Sequence, residues 1–250
     1  MQRAIITGAS SGIGAEMAGE LARRGYAVAL LARRADLLQG LAKKLPNAVA
    51  LPCDVTDEAA VTSAVRAGEK ALGGPFDMAI ANAGVGVTGY AAKDVSDAER
   101  MMQVNYFGML HLFHAVIPGM MERRTGRFAG IASIAGLRGL PTASGYSASK
   151  AAMQAFLEAA RVELAPFGVR ITTVNPGFIA TAITEKNKFR MPFLMKADKA
   201  ARIIIDGIER GVRVVEFPRP MSLIMRFVRL LPAAVYDRVV GGYVRREVGP

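Results

Sequence analysis

The first two dozen residues constrain the fold most. Ala4 to Thr7 is a short β-rich run, Gly8-Ala9-Ser10-Ser11-Gly12-Ile13-Gly14 follows, and a helical apolar pattern continues through Met17, Leu21 and Ala22 to a stop at Gly25. A strand, a glycine turn and a helix in that order form a phosphate-binding unit. Glycines let the backbone approach an anion, and the helix N-terminus offers free N–H groups at the positive end of its dipole. Gly8, Ser10, Ser11, Gly12, Ile13 and Gly14 are the candidate contacts. The spacing is Gly-x-x-x-Gly-x-Gly rather than Gly-x-Gly-x-x-Gly, so a plain tight turn is the competing reading of this stretch taken alone.

The next two hundred residues repeat the unit. Apolar runs at Tyr26–Ala32, Ala48–Leu51, Asp77–Ala81, Arg127–Ala132, Val169–Val174 and Arg213–Phe217 read as strands. Helical patterns separate them, with Asp36 expected to cap the helix through Leu37, Leu38 and Leu41, and Asp57 the helix through Val61, Ala64 and Val65. A long helix is expected from Asp97 to about Met121, and another from Asp198 to Gly211. This alternation predicts an α/β fold with a doubly wound parallel sheet, whose ligands sit beyond the carboxyl ends of the strands. Gly8, Arg33, Asp54 and Asn82 all fall there. An acid at the end of the second strand would take the ribose hydroxyls of NAD, whereas an arginine accommodates the 2′-phosphate of NADP. The acid is absent and Arg33 is present, which favours NADP(H) over NAD(H).

A second constellation lies in the chain's later half. Tyr146 and Lys150 stand four residues apart in an alanine-rich helical stretch, so their side chains share a face. A phenol beside an ammonium is a plausible proton donor, and the expectation is that the lysine charge lowers the tyrosine pKa. The competing reading is an ordinary amphipathic helix. Asn105, in an otherwise apolar stretch, is expected to be paired, as a structural residue or part of a polar relay. His111 and His114 have no Cys or carboxylate partner at metal-ligand spacing, so packing or surface positions are expected and no metal is assigned.

The chain has 250 residues, 52% of them hydrophobic, which is ample for a buried core. A single cysteine, Cys53, excludes an intrachain disulfide and suits a reducing compartment. An apolar run starts directly after Met1-Gln2-Arg3, leaving no room for a signal peptide, and no run reaches membrane-spanning length. A cytoplasmic protein is expected. The net charge of +11 is concentrated at one end: Lys186 to Pro250 holds fourteen Lys/Arg against six Asp/Glu. No nucleic-acid-binding motif accompanies it.

Between Thr181 and Met195, the residues Ile183, Phe189, Met191, Pro192, Phe193, Leu194 and Met195 read as a lid for an apolar substrate or as packing. Beyond Pro218 a basic amphipathic extension, 219–250, follows a main domain at 1–218. As a helix, Pro220–Leu231 would gather Arg219, Ser222, Arg226 and Arg229 on one face. Met221, Ile224, Phe227, Val228 and Leu231 would lie opposite, with Leu223, Met225 and Leu230 between. Tyr236, Val239, Val240, Tyr243 and Val244 continue the theme. Such a helix docks over a cleft or a subunit interface, or lies on a membrane surface.

Thr7-Gly8-Ala9-Ser10-Ser11-Gly12-Ile13-Gly14, Asp54, Asn82-Ala83-Gly84, Asn105, Ser133, Tyr146-x-x-x-Lys150 and Asn175-Pro176-Gly177 together resemble the classical short-chain dehydrogenases/reductases in order and spacing, over residues 1 to about 181. The resemblance implies a single-domain Rossmann-like fold that uses NAD(H) or NADP(H), with Asn105, Ser133, Tyr146 and Lys150 as the catalytic set. It also implies that Asp54 and its neighbour Val55 lie near the adenine and the Asn82–Gly84 turn against the cofactor. Pro176 and Gly177 would bind the cofactor, and Ile179 and Thr181 would lie near the nicotinamide. Asn105 would carry a water linking Lys150 to solvent. The expected activity is carbonyl–alcohol interconversion on an apolar, lipid-like substrate, by a homo-oligomer (dimer or tetramer), with 219–250 docked over the cleft or a subunit interface or, as the alternative, in peripheral membrane contact. The alternatives are a 3-oxoacyl-thioester reductase and an idle nucleotide-sensing scaffold.

Overall fold

The computed structural model describes residues 1–89, 95–181, 184 and 191–248, with side chains through 242. Of the residues singled out above, Ile183 and Phe189 lie outside the described residues, as do the side chains of Tyr243 and Val244. The strands are β1 (Arg3–Thr7), β2 (Ala27–Ala32), β3 (Ala48–Pro52), β4 (Met78–Ala81), β5 (Gly126–Ile131), β6 (Val169–Pro176) and β7 (Val214–Phe217). All pair in parallel, in the order β3-β2-β1-β4-β5-β6-β7. Every residue of β2 is buried, as both faces of a parallel sheet require.

The helices are α1 (Gly12–Arg23), α2 (Ala35–Ala42), α3 (Glu58–Leu72), α4 (Val95–Met101), α5 (Gly108–Glu122), α6 (Ser144–Leu164), α7 (Ala197–Glu209), α8 (Arg219–Leu230) and α9 (Ala233–Val248). Alternate strand residues feed two apolar layers. Ile6, Leu30 and Ile80 pack with Met17 and Leu21 of α1 and Ile204 and Ile208 of α7. Ile5, Leu31 and Phe128 pack with Val61 and Val65 of α3, Leu112 of α5 and Leu157 of α6. Arg24 joins α1 to α7 by ion pairs to Glu20, Asp206 and Glu209. These cations and carboxylates satisfy one another beside the apolar layer, so the network is structural.

Two of three local expectations change. The N-cap of α2 is Arg34, and Asp36 sits inside the first turn, where its charge complements the helix dipole without capping. Asp57 does cap α3, accepting from the Ala60 N–H at 2.9 Å. The single long helix expected from Asp97 is interrupted: a π-helical segment at Met102–Phe107 separates α4 from α5 and carries Asn105. Among the described residues, no helix is long and apolar enough to cross a membrane.

The strand order reverses between β1 and β4. The crevice this opens at the carboxyl ends is where open α/β sheets bind ligands.

Candidate active site

The glycine turn is held by its neighbour strand. Gly8 and Gly12 adopt left-handed backbone (φ +69° and +57°) that disfavours other residues. A Cβ on Gly14 would come within 2.3 Å of the Gly8 carbonyl and 2.5 Å of Asn82 Nδ2. Asn82 Nδ2 donates to the Thr7 and Gly8 carbonyls at 2.9 and 3.2 Å, while the Asn82 and Ala83 N–H groups both donate to Thr7 Oγ1 at 3.0 Å. Asn82 and Ala83 thus shape the turn, a task the sequence reading had not given them. Thr181 Cγ2 faces Gly12 from the other side, 3.3 Å from where a Cβ would stand. The Thr184 hydroxyl fixes that segment, accepting from the Thr181 N–H at 3.0 Å and donating to the Ile179 carbonyl at 2.6 Å. Ile179 is buried and bridges Met195, whose carbonyl accepts from the Ala180 N–H at 2.9 Å.

At the end of β2 the arginines diverge. Arg33 is exposed and lies 3.8 Å from the Asp54 carboxylate, a weak surface pair that leaves the guanidinium available. Asp54 is fixed by the Thr56 N–H and hydroxyl at 3.0 and 2.9 Å. Val55 is buried, and its carbonyl lies 2.8 Å from His111 Nδ1, which gives that histidine a packing role. Arg34, not singled out from the sequence, reaches back over the glycine turn and donates to Ser10 and Ser11 Oγ at 2.9 and 2.6 Å. The turn of the chain between β2 and α2 makes that contact, and spacing alone does not reveal it.

The second constellation converges beyond β5 and β6. Ser133 follows β5, is buried, and accepts from the Ala135 N–H at 3.1 Å; its hydroxyl lies 3.4 Å from the Pro176 carbonyl. The Tyr146 phenol lies near enough for the Ser133 hydroxyl to lower its pKa. Lys150 is 4% exposed, and its Nζ donates to the Ile131 carbonyl at 2.7 Å. Asn105 is fully buried: its Oδ1 accepts from the Val85 N–H at 2.8 Å, and its Nδ2 donates to the Val85 carbonyl at 3.0 Å and to Ser149 Oγ at 2.9 Å. Gly84 lies between Asn105 and Lys150, and a Cβ there would be 3.3 Å from Asn105 Oδ1 and 3.5 Å from Lys150 Nζ. The Gly177 N–H donates to the Phe217 carbonyl at 2.7 Å, tying β6 to β7 beside Ser133.

The expected effect of Lys150 on Tyr146 is not what the geometry gives. Burial raises the Tyr146 pKa, and the Ser133 hydroxyl pulls it back down only in part. The Lys150 amine points at the Ile131 carbonyl and stands 5.8 Å from the centre of the phenol ring. Burial also lowers the Lys150 pKa to about 7, so near neutrality its charge is only partly present.

Gln154 is a further residue the sequence did not mark. Its Nε2 donates to the Ser133 carbonyl at 2.7 Å and to Asn175 Oδ1 at 2.9 Å. Asn175 Nδ2 donates to Glu216 at 3.1 Å, and Glu216 accepts from Arg226 of α8 at 2.9 Å. A continuous polar chain therefore runs from Ser133 into the C-terminal helix.

The glycine cradle, the helix N-terminus above it and the cation at the end of β2 fit a dinucleotide phosphate. Together with the parallel sheet they define the class of dinucleotide-binding α/β proteins. Within it, the short chain dehydrogenase family model matches residues 2–191, and the chain belongs to that family, as an oxidoreductase. It is 39% identical over 239 residues to an uncharacterized oxidoreductase of Myxococcus xanthus, covering 94% of each chain. It is 34% identical to a fatty acyl-CoA reductase of Mycobacterium tuberculosis, over 85% of this chain and 76% of that one. Among solved structures, a 3-ketoacyl-(acyl-carrier-protein) reductase from Brucella melitensis, complexed with NADH, aligns with TM-score 0.80 and 26% identity, over 86% of this chain and 94% of that one.

Proposed function

We propose that the protein is an NADP(H)-dependent enzyme that interconverts a carbonyl and an alcohol on an apolar substrate, with Tyr146 as the acid/base. One observation carries the reading: Ser133, the Tyr146 phenol and a buried Lys150 converge beside a glycine cradle shaped for phosphate, with Lys150 Nζ 5.8 Å from the phenol ring. When bound, the nicotinamide supplies or accepts hydride. Gly8, Ser10, Ser11, Gly12, Ile13 and Gly14 would hold the pyrophosphate, with Asp54 and Val55 toward the adenine. Ala83 and Gly84 would line the cofactor from β4, and Pro176, Gly177, Ile179 and Thr181 from β6.

Ser133 donates to the substrate oxygen, where charge develops, and Tyr146 gives or takes the proton. Lys150 holds ribose hydroxyls, and Asn105 braces the Val85 backbone beside it. Burial raises the Tyr146 pKa, and the phenol gives its proton in reduction and takes one in oxidation. Arg33, with Arg34 beside it, supports NADP over NAD; the NADH in the Brucella reductase argues the other way and makes cofactor choice a necessary test. A cytoplasmic homo-oligomer is the expected setting. An acyl thioester is the second reading of the substrate, favoured by the acyl-CoA and ketoacyl reductase relatives.

The test titrates NADPH and NADH into wild type and Arg33→Ala, following nicotinamide fluorescence, and then measures turnover on ketones, aldehydes and acyl thioesters. The expected result is NADPH preference that falls in Arg33→Ala, with turnover falling about 10²–10⁴-fold in Tyr146→Phe and less in Ser133→Ala. Equal binding of both cofactors would overturn the NADP assignment, and binding of neither would favour an idle scaffold.

A further inference from the structure

The C-terminal helices are tied to the body by a few polar contacts but turn an apolar face away from it. Ser222 and Met225 point inward and are buried, and the Ser222 hydroxyl is satisfied by the Pro218 carbonyl at 3.2 Å. Ser222, grouped with the arginines in the sequence, is thus turned to the body, while Ile224 and Phe227 of the apolar face turn outward. Arg226 is pinned to Glu216, and Arg138, between Ser133 and Tyr146, donates to the Arg229 carbonyl at 3.2 Å. The Arg138 guanidinium lies 4.5 Å over the Tyr236 ring, and the Tyr236 hydroxyl donates to the Gly139 carbonyl. With the body side occupied, Leu223, Ile224, Phe227 and Leu230 are left outward at 67%, 55%, 66% and 81% exposure, and Val239 of α9 adds 64%.

The apolar residues of α8 follow an i, i+1, i+4, i+7 spacing, so they form one stripe along the helix. Arg219, Arg226 and Arg229 lie beside that stripe, and Arg238 projects from α9; all four are exposed. Asp237 is the one acid of the two helices among the residues whose side chains are described. A contiguous apolar stripe on a convex helix, flanked by arginines whose stems can reach past it, is how a helix lies in a bilayer interface.

A second copy of the chain is a poorer occupant. A twofold contact would bring the same arginines of both copies together, and Asp237 and the Glu216 already paired with Arg226 are too few acids to answer them. An acidic protein would need a groove to receive a convex ridge. We infer that α8 and α9 dock the protein on an anionic lipid surface. The inference goes beyond the catalytic reading and does not rest on it.

The test is flotation of the full chain with vesicles of phosphatidylcholine alone and of phosphatidylcholine with phosphatidylglycerol, at low and high salt. The expected result is flotation with the anionic vesicles at low salt and its loss at high salt. Ile224→Ser/Phe227→Ser should weaken the partition about tenfold or more, and Arg219→Gln/Arg229→Gln about fivefold per arginine. Both variants change exposed side chains, and unchanged melting temperatures verify their folding. Absence of flotation, or flotation unchanged in both variants, overturns the inference. Sedimentation velocity on the same proteins identifies the rival: if wild type self-associates and Ile224→Ser/Phe227→Ser does not, while neither floats, a second copy covers the face.

Discussion

Lys150 gives the most quantitative prediction. Its burial lowers the pKa from the ordinary 10.5 to about 7, with one carbonyl acceptor and no carboxylate among its bonded partners. The unfolded chain therefore holds a proton on this amine between about pH 7 and 10.5 that the folded chain has released. Stability must rise with pH across that interval, with a slope approaching about 1.4 kcal/mol per pH unit. Above pH 9 the Cys53 thiol, whose pKa burial raises to about 11, opposes the trend, because the unfolded thiol ionises first. The clean window is therefore pH 7 to 9, where the gain amounts to roughly 2 kcal/mol. Urea unfolding of cofactor-free protein at half-unit pH steps should show it, and Lys150→Met should flatten the curve across the same window. Equal slopes in wild type and Lys150→Met would refute the argument. So would stability that falls as pH rises from 7 to 9, since that is the behaviour of an amine held charged by a partner.

Gly14→Ala places a methyl against the Gly8 carbonyl and Asn82 Nδ2, both fixed by the turn's own hydrogen bonds, and should destabilise by about 1–3 kcal/mol with loss of dinucleotide affinity in a fluorescence titration. Gln154→Ala removes the donor shared by the Ser133 carbonyl and Asn175, and should cost about 1–3 kcal/mol in chemical denaturation. Because Gln154 acts on Ser133 and not on the cradle, turnover should fall while cofactor affinity holds; a parallel loss of both would mean a general structural role.

The layered α/β order was legible because its signals are local and repeated. Seven apolar runs of strand length, each followed by turn residues at a carboxyl end, force a parallel sheet, and Gly8, Arg33, Asp54 and Asn82 meet at one edge because every strand points the same way. The interruption of the Asp97 helix was not legible, since Met102–Phe107 has ordinary helix formers and an apolar pattern. The π-turn depends on tertiary pairing: Asn105 must reach the Val85 backbone and Ser149 together, and neither contact leaves a trace in local spacing. Asn82 and Gln154 were hidden for the same reason. One was legible as part of a motif but not as the residue that shapes the glycine turn, and the other is one polar position on a helix until Ser133 and Asn175 are brought against it.

Tyr146 and Lys150 show where the inference from sequence goes astray. Their four-residue spacing put both on one helix face, but a shared face does not fix where a flexible amine points or how much of its charge survives burial. The helix packs so closely against the end of β5 that a Cβ on Gly136 would stand 2.8 Å from the Lys150 carbonyl carbon, and the amine is drawn to the Ile131 carbonyl. In that setting desolvation outweighs the attraction between ammonium and phenolate: it pushes the tyrosine up and the lysine down, and keeps both nearer their neutral forms. A phenol beside the Ser133 hydroxyl can give its proton to an oxygen that acquires charge.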